Sequence, residues 1–207
     1  MTVLSELATL VHVTSVNDEQ RQALLNAASH LLIAEGPTGL TVRRIASEAG
    51  TSTMGVYSRF GGKDGIVEAL FVEGFEMLRD AMAAVPLEGD PIERLLETGR
   101  AYRHFALTHP AHYLVMFEAA VPDFSPTPAC HDVGMSALAA LEAHTARAIA
   151  TGALRSGDVE ATAHLIWANA HGLVSLELHG RSRTAGLELE RFEEGILTLL
   201  RGLDANR

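Results

Sequence analysis

The sequence predicts an all-α chain, and three observations carry that prediction. Apolar residues recur at spacings of three and four, as in Leu24, Ala28, Leu31 and Leu32. Glycine and proline clusters cut the chain into pieces of helical length, at Gly36-Pro37, at Gly61-Gly62 and from Val121 to Pro128. No stretch alternates apolar and polar residues convincingly over the length of a strand.

Taken in order, the first helix is read from Asp18 to Glu35, capped by Asn17 or Asp18 and ended by Gly36-Pro37. Thr41 caps a short second helix, Val42 to Ala49, which stops at Gly50. Thr51 or Ser52 caps a third, which runs to Phe60 and is broken by Gly61-Gly62. A longer helix follows from Lys63 to Ala84, then a break at Pro86 to Pro91, then Ile92 to Thr108. Pro110 suits the first turn of a helix that reaches Ala120. Beyond the proline-rich loop come an alanine-rich helix from His131 to Leu154, a helix from Val159 to His179 and, past a Gly/Ser/Arg turn, one from Leu187 to Leu203. The layout is three short helices followed by about six longer ones, without an internal repeat.

The chain has 207 residues and a formal charge of −10, which argues against indiscriminate binding of polyanions. Its single Cys130 excludes a disulfide framework and a cysteine-based metal cage. No apolar run is long enough to span a bilayer, and the first residues lack the basic start of a secretory signal, so a cytoplasmic setting without a membrane partner is expected. The charge is uneven. Between Thr41 and Lys63, Arg43, Arg44, Arg59 and Lys63 face only Glu48, while the remainder holds 12 basic against 25 acidic residues. A positive island on an acidic chain suits a compact nucleic-acid-reading surface.

That island coincides with two short helices around a tight turn, a helix-turn-helix outline. Val42, Ile45, Ala46 and Ala49 face inward, with Ala46 small enough for a steep crossing and Gly50 supplying a left-handed turn. The third helix has few inward residues, Val56 and Phe60, and many small polar ones, which suits a major groove. The string GTSTMGVYSRFGGKD from Gly50 to Asp64, after LTVRRIASEAG, resembles the DNA-binding region of TetR-family transcriptional regulators over residues 18 to 75. The matching features are Thr41, Ile45-Ala46, Ala49-Gly50, Gly55, Tyr57, Phe60 and Lys63.

The resemblance implies a role for each matching position. Thr41 would cap and hold a phosphate, and Arg43 or Arg44 would reach backbone or groove. Ser52, Thr53, Met54 and Gly55 would face base edges, and Tyr57 and Lys63 would each hold a phosphate. Three features depart from the family pattern. Arg59 replaces the more frequent Tyr or His and adds a phosphate or base contact; Gly61-Gly62 implies a looser joint; residues 1–17 lack a basic minor-groove arm, and their leucines would order only by packing on the body.

The rest of the chain is acidic and apolar. Trp167, His171 and Gly172 resemble the Trp…His-Gly signature of a C-terminal domain found in one branch of the family. Leu189, Phe192, Ile196, Leu199 and Leu203 form a seam, which with Leu173 and Leu176 can build half of an intermolecular four-helix bundle. Phe75, Leu78, Met82, Tyr102, Phe105, Tyr113, Met116, Phe117 and Phe124, with Trp167 and His171, are material for an apolar pocket or for core. Tyr102, His109, Tyr113, Asn169 and His171 are its candidate polar anchors, and the loop bearing Phe124 its candidate lid.

Neither a metal nor a catalytic constellation emerges. His109 and His112 straddle Pro110, His164 and His171 are seven apart, and nothing orients a base beside Cys130. The expectation is therefore an extension over 1–17, a helix-turn-helix domain over 18–64 and a larger ligand-binding and dimerisation domain over 65–207. No cofactor is expected. The partners would be an operator in double-stranded DNA, a small, mostly apolar effector and a second copy of the chain. The alternative is a helical interaction module, or a regulator with no functional effector pocket.

Overall fold

A computed structural model describes residues 2–181 and 186–205, with the backbone alone described at 2–16, 129 and 131. Among the described residues there are ten α-helices and no named strand; Leu154 and Asp204 form an isolated antiparallel bridge. They fall into two compact units, one comprising residues 1–73 and 111–126, the other 74–110 and 127–207.

In the first unit, α1 spans Thr2–Glu35 and not Asp18 to Glu35. The chain contains no glycine or proline between those ends, so nothing stops the helix at Asn17 or Asp18, which are interior residues rather than caps. The leucines before residue 17 lie outside the described side chains. Leu24, Leu25, Ala28, Leu31 and Leu32 are buried, the face the spacing predicts. Gly36, at φ 70°, ends the helix, and a 3-10 turn, Pro37–Gly39, leads to α2 (Val42–Glu48), α3 (Thr53–Phe60) and α4 (Lys63–Ala83). Ile66, Val67, Leu70 and Phe71 of α4 complete this core, together with Ala111, Tyr113, Val115 and Met116 of α6 (Pro110–Phe117). α6 stops short of Ala120, and Ala119 takes a positive φ of 48°.

The second unit is built on α5 (Pro91–Thr108), α7 (Pro128–Ser136), α8 (Ala139–Ala150), α9 (Val159–Leu178) and α10 (Glu188–Gly202). Asp90 and Asp158 cap α5 and α9 by accepting from the Glu93 and Ala161 N–H groups at 2.8 and 2.9 Å. The helix expected from His131 to Leu154 is two helices: α7 begins at Pro128, ends at Ser136, and α8 restarts at Ala139. Gly134 of α7 lies against the Phe75 ring, where an added Cβ would stand 3.5 Å away. The turn before α10 lies partly outside the described residues.

α10 packs inward on α5 and α9. A Cβ on Gly99 of α5 would meet the Phe192 ring at 3.5 Å, and one on Gly195 would meet Leu173 at 2.7 Å. Phe192, Ile196 and Leu203 are consequently buried in the chain's own core, against their expected place in an intermolecular seam. Charged pairs tie the same helices: Arg103 to Glu177 at 2.5 and 2.9 Å, and Arg100 to both Glu93 and Glu193 at 2.7 Å.

Candidate nucleic-acid interface

The α2–α3 pair is held by caps that the sequence announces. The Arg44 N–H donates to Thr41 Oγ1 at 3.3 Å, and the Gly55 N–H donates to Ser52 Oγ at 3.2 Å. Gly50, at φ 64°, makes the turn between them. Ile45, Ala46 and Val56 are buried, while Val42, Ala49 and Phe60 are only half-buried. Phe60 is thus not full core: the Arg21 guanidinium lies over its ring, 5.5 Å from the centroid.

α3 turns Thr53, Met54, Tyr57 and Ser58 outward. Met54 is 73% exposed and Tyr57 55%. A Cβ on Gly55 would stand 2.8 Å from Thr51 Oγ1, so a side chain there would force that hydroxyl to turn away.

The cations differ in their freedom. Arg43 is exposed and Lys63 half-exposed at the start of α4; neither has a carboxylate partner among the described residues. Arg44 pairs with Glu35, an acidic residue of α1 outside the positive island. Both side chains are well exposed, so the pair is worth little and can open for a phosphate. Arg59, expected to add a DNA contact, turns back. It donates to the Gly55 carbonyl at 3.3 Å and to Gln20 Oε1 on α1. Gln20, thirty-nine positions away, gave no local signal of this.

Gly61 and Gly62 do not make a loose joint. Gly61 is the left-handed cap of α3, its N–H bonded to the Tyr57 carbonyl at 2.9 Å. Gly62 takes φ 139°, and a Cβ built on it would stand 3.6 Å from the edge of the Tyr57 ring. The tightest position is Gly65, where a Cβ would fall 1.8 Å from the Phe60 carbonyl oxygen.

Two family models match the chain: "Bacterial regulatory proteins, tetR family" over residues 24–70, and "Tetracyclin repressor-like, C-terminal domain" over residues 95–200. The chain belongs to the TetR family. The HTH-type transcriptional regulator Rv1816 of Mycobacterium tuberculosis is 24% identical, over 72% of this chain and 76% of its own length. A protein of unknown function from Rhodococcus sp. RHA1 superimposes with a TM-score of 0.76 at 27% identity, covering 89% and 95% of the two chains. PfmR, a TetR-family regulator from Thermus thermophilus, superimposes at 0.72 and shares the fold at 21% identity, covering 87% and 98%. Members of this TetR family are DNA-binding transcription regulators, not enzymes.

The effector-pocket residues expected from the sequence divide between the two units. Tyr113, Met116, Phe117 and Phe124 belong to the first, where Phe124 lies 6.1 Å from Phe71 and Phe117 lies 5.0 Å from Tyr113. Phe75, Leu78, Met82, Tyr102, Phe105, Trp167 and His171 belong to the second. There Tyr102 Oη and His171 Nδ1 share a hydrogen bond of 3.0 Å, and the Trp167 ring lies between His164 and His171 at 5.4 and 5.7 Å. His171 is therefore bonded to a side chain of α5, not only placed on the face of α9. Of the expected seam, Leu176 and Leu189 are 49% and 44% exposed, joined by Leu165 at 52%.

Proposed function

We propose that this TetR-family protein is a repressor that binds a palindromic operator as a homodimer and is released by a small, mostly apolar effector. The observation that carries the reading is α3, which offers Thr53, Met54 and Tyr57 to solvent between the cations Arg43 and Lys63. In this reading residues 18–64 form the DNA-binding domain and 65–207 the ligand-binding and dimerisation domain, in a cytoplasmic protein. Thr41, Arg43, Arg44, Tyr57 and Lys63 hold phosphates, and Ser52, Thr53, Met54 and Gly55 meet base edges.

Dimerisation uses the outward face of α9 and α10, with exposed Leu176 and Leu189 and half-buried Leu199, while Leu173, expected beside them, packs on Gly195 of α10. Exposed leucines on neighbouring helices support it, because a second copy would remove them from water. The effector would enter among Phe75, Leu78, Met82, Tyr102, Phe105, Trp167 and His171. It acts through α4, whose residues belong to both units. A roughly 100-fold preference for the released conformer corresponds to about 2.7 kcal/mol. The near-complete burial of Leu78, Met82 and Tyr102 favours, as a second reading, a regulator without a functional effector pocket.

Selection of bound sequences from random DNA, at fixed moderate salt, tests the reading. An enriched inverted repeat with half-sites ~34–36 Å apart is expected. Weak, salt-sensitive binding without enrichment would contradict it.

A further inference from the structure

Sequence-specific helices read guanine and adenine mainly through paired hydrogen bonds from Arg, Lys, Asn or Gln, whereas thymine is distinguished by an apolar contact to its C5-methyl. α3 contains no Asn, Gln or Lys, and its one Arg is withdrawn. Arg59 spends its guanidinium on the Gly55 carbonyl and on Gln20, and its Nε is buried. The hydroxyls are partly committed as well: Ser52 accepts from the Gly55 N–H, and Ser58 donates to the Gly55 carbonyl at 3.2 Å. Arg43 and Lys63 lie on α2 and α4, outside the reading helix.

What remains on the first turn of α3 is the Thr53 hydroxyl and Met54. Met54 is the most exposed large apolar side chain among the described residues. A single exposed apolar residue is ordinary on a protein surface. This one occupies the second position of the helix that enters the groove, where the N-terminal residues of a recognition helix meet base edges. Its thioether chain is flexible and polarizable, suited to covering a methyl group. The Cβ-less Gly55 beside it lets the backbone come close.

We propose that Met54 is the specificity-determining residue of the operator complex, and that it selects thymine by packing on the C5-methyl in the major groove. The inference rests on the operator-reading function proposed above and names the base chemistry which that function uses. Each half-site then carries a thymine read by contact alone, and no guanine depends on Arg59.

The test uses the full-length protein and the operator recovered by selection, with deoxyuridine placed at each half-site thymine in turn. Uracil pairs as thymine does but lacks the methyl. At one thymine per half-site, the wild-type protein should bind the uracil operator about fourfold more weakly, the factor given by about 0.8 kcal/mol of lost methyl burial. Met54→Ala, an exposed change to a better helix former, should bind both operators equally. Arg59→Ala should leave base preferences unchanged. The inference is overturned if uracil is tolerated at every half-site thymine, if Met54→Ala keeps the discrimination, or if Arg59→Ala loses a selected guanine. A selection with no enriched repeat would overturn the operator reading itself, and this inference with it.

Discussion

Gly65 of α4 sits so close to the Phe60 carbonyl that a methyl group cannot be placed between them: the added Cβ would fall 1.8 Å from the oxygen. The contact is backbone against backbone, and no side-chain rotation relieves it. Gly65→Ala should therefore cost about 1–3 kcal/mol or more, seen as a lowered denaturation midpoint. It should also weaken DNA binding, because the joint between α3 and α4 sets the position of Lys63. An unchanged midpoint would show that the joint is slack.

Lys63→Ala removes a cation with no carboxylate partner among the described residues. Binding to operator and random DNA should weaken alike, and the slope of log K against log salt should flatten by about one unit. Arg44→Ala should change the slope less, because Arg44 would have to break its pair with Glu35 before meeting a phosphate. Titrations at several salt concentrations separate these outcomes.

Gly172 lies exposed on α9, and nothing stands within 4 Å of a Cβ built on it. In an isolated chain, Gly172→Ala should stabilise α9 by about 0.5–1 kcal/mol. If α9 faces a second copy, the same methyl crowds the interface and raises the dimer dissociation constant. In such an interface Leu176→Glu should separate the two copies outright, whereas Phe192→Ala should loosen the chain's own core at a cost of about 3–5 kcal/mol. Sedimentation and thermal melting report the two effects separately.

Acidification should destabilise the protein in two stages. Burial holds the His144 pKa below its ordinary value, against the opposing influence of the Val85 carbonyl. The unfolded chain then binds the proton more readily, so this loss begins as pH falls through about 6.5, the ordinary histidine value. Glu73 has its pKa lowered by His112, whose Nε2 lies 3.0 Å from the carboxylate, despite opposing desolvation. Its contribution is present above the ordinary glutamate range and disappears as pH falls through the lowered folded value. His144→Gln should abolish the first stage and retain the second in a stability-against-pH series.

Much of the reader was legible because its signals are local. Thr41 and Ser52 cap where their spacing places them, Gly50 turns where the sequence requires it, and Ile45, Ala46 and Val56 are buried. The failures came from contacts between different helices, thirty-nine positions apart in one case and only five in another. Arg59 is claimed by Gln20, Arg44 by Glu35, and Gly65 by Phe60, none of which a periodic pattern reveals. The seam on α10 misled because a 3–4 spacing identifies the buried face and not what buries it. Gly99 of α5 lets Phe192 and Ile196 turn inward, leaving Leu189 outside. The break between α7 and α8 went unseen, since no proline separates Ser136 from Ala139.

The most direct measurement is the stoichiometry and hydroxyl-radical footprint of the purified protein on its selected operator. Two chains per duplex and two protected tracts on one face of the DNA, about one helical turn apart, are expected. One chain per duplex, or a single continuous tract insensitive to sequence, would contradict the dimeric operator reading.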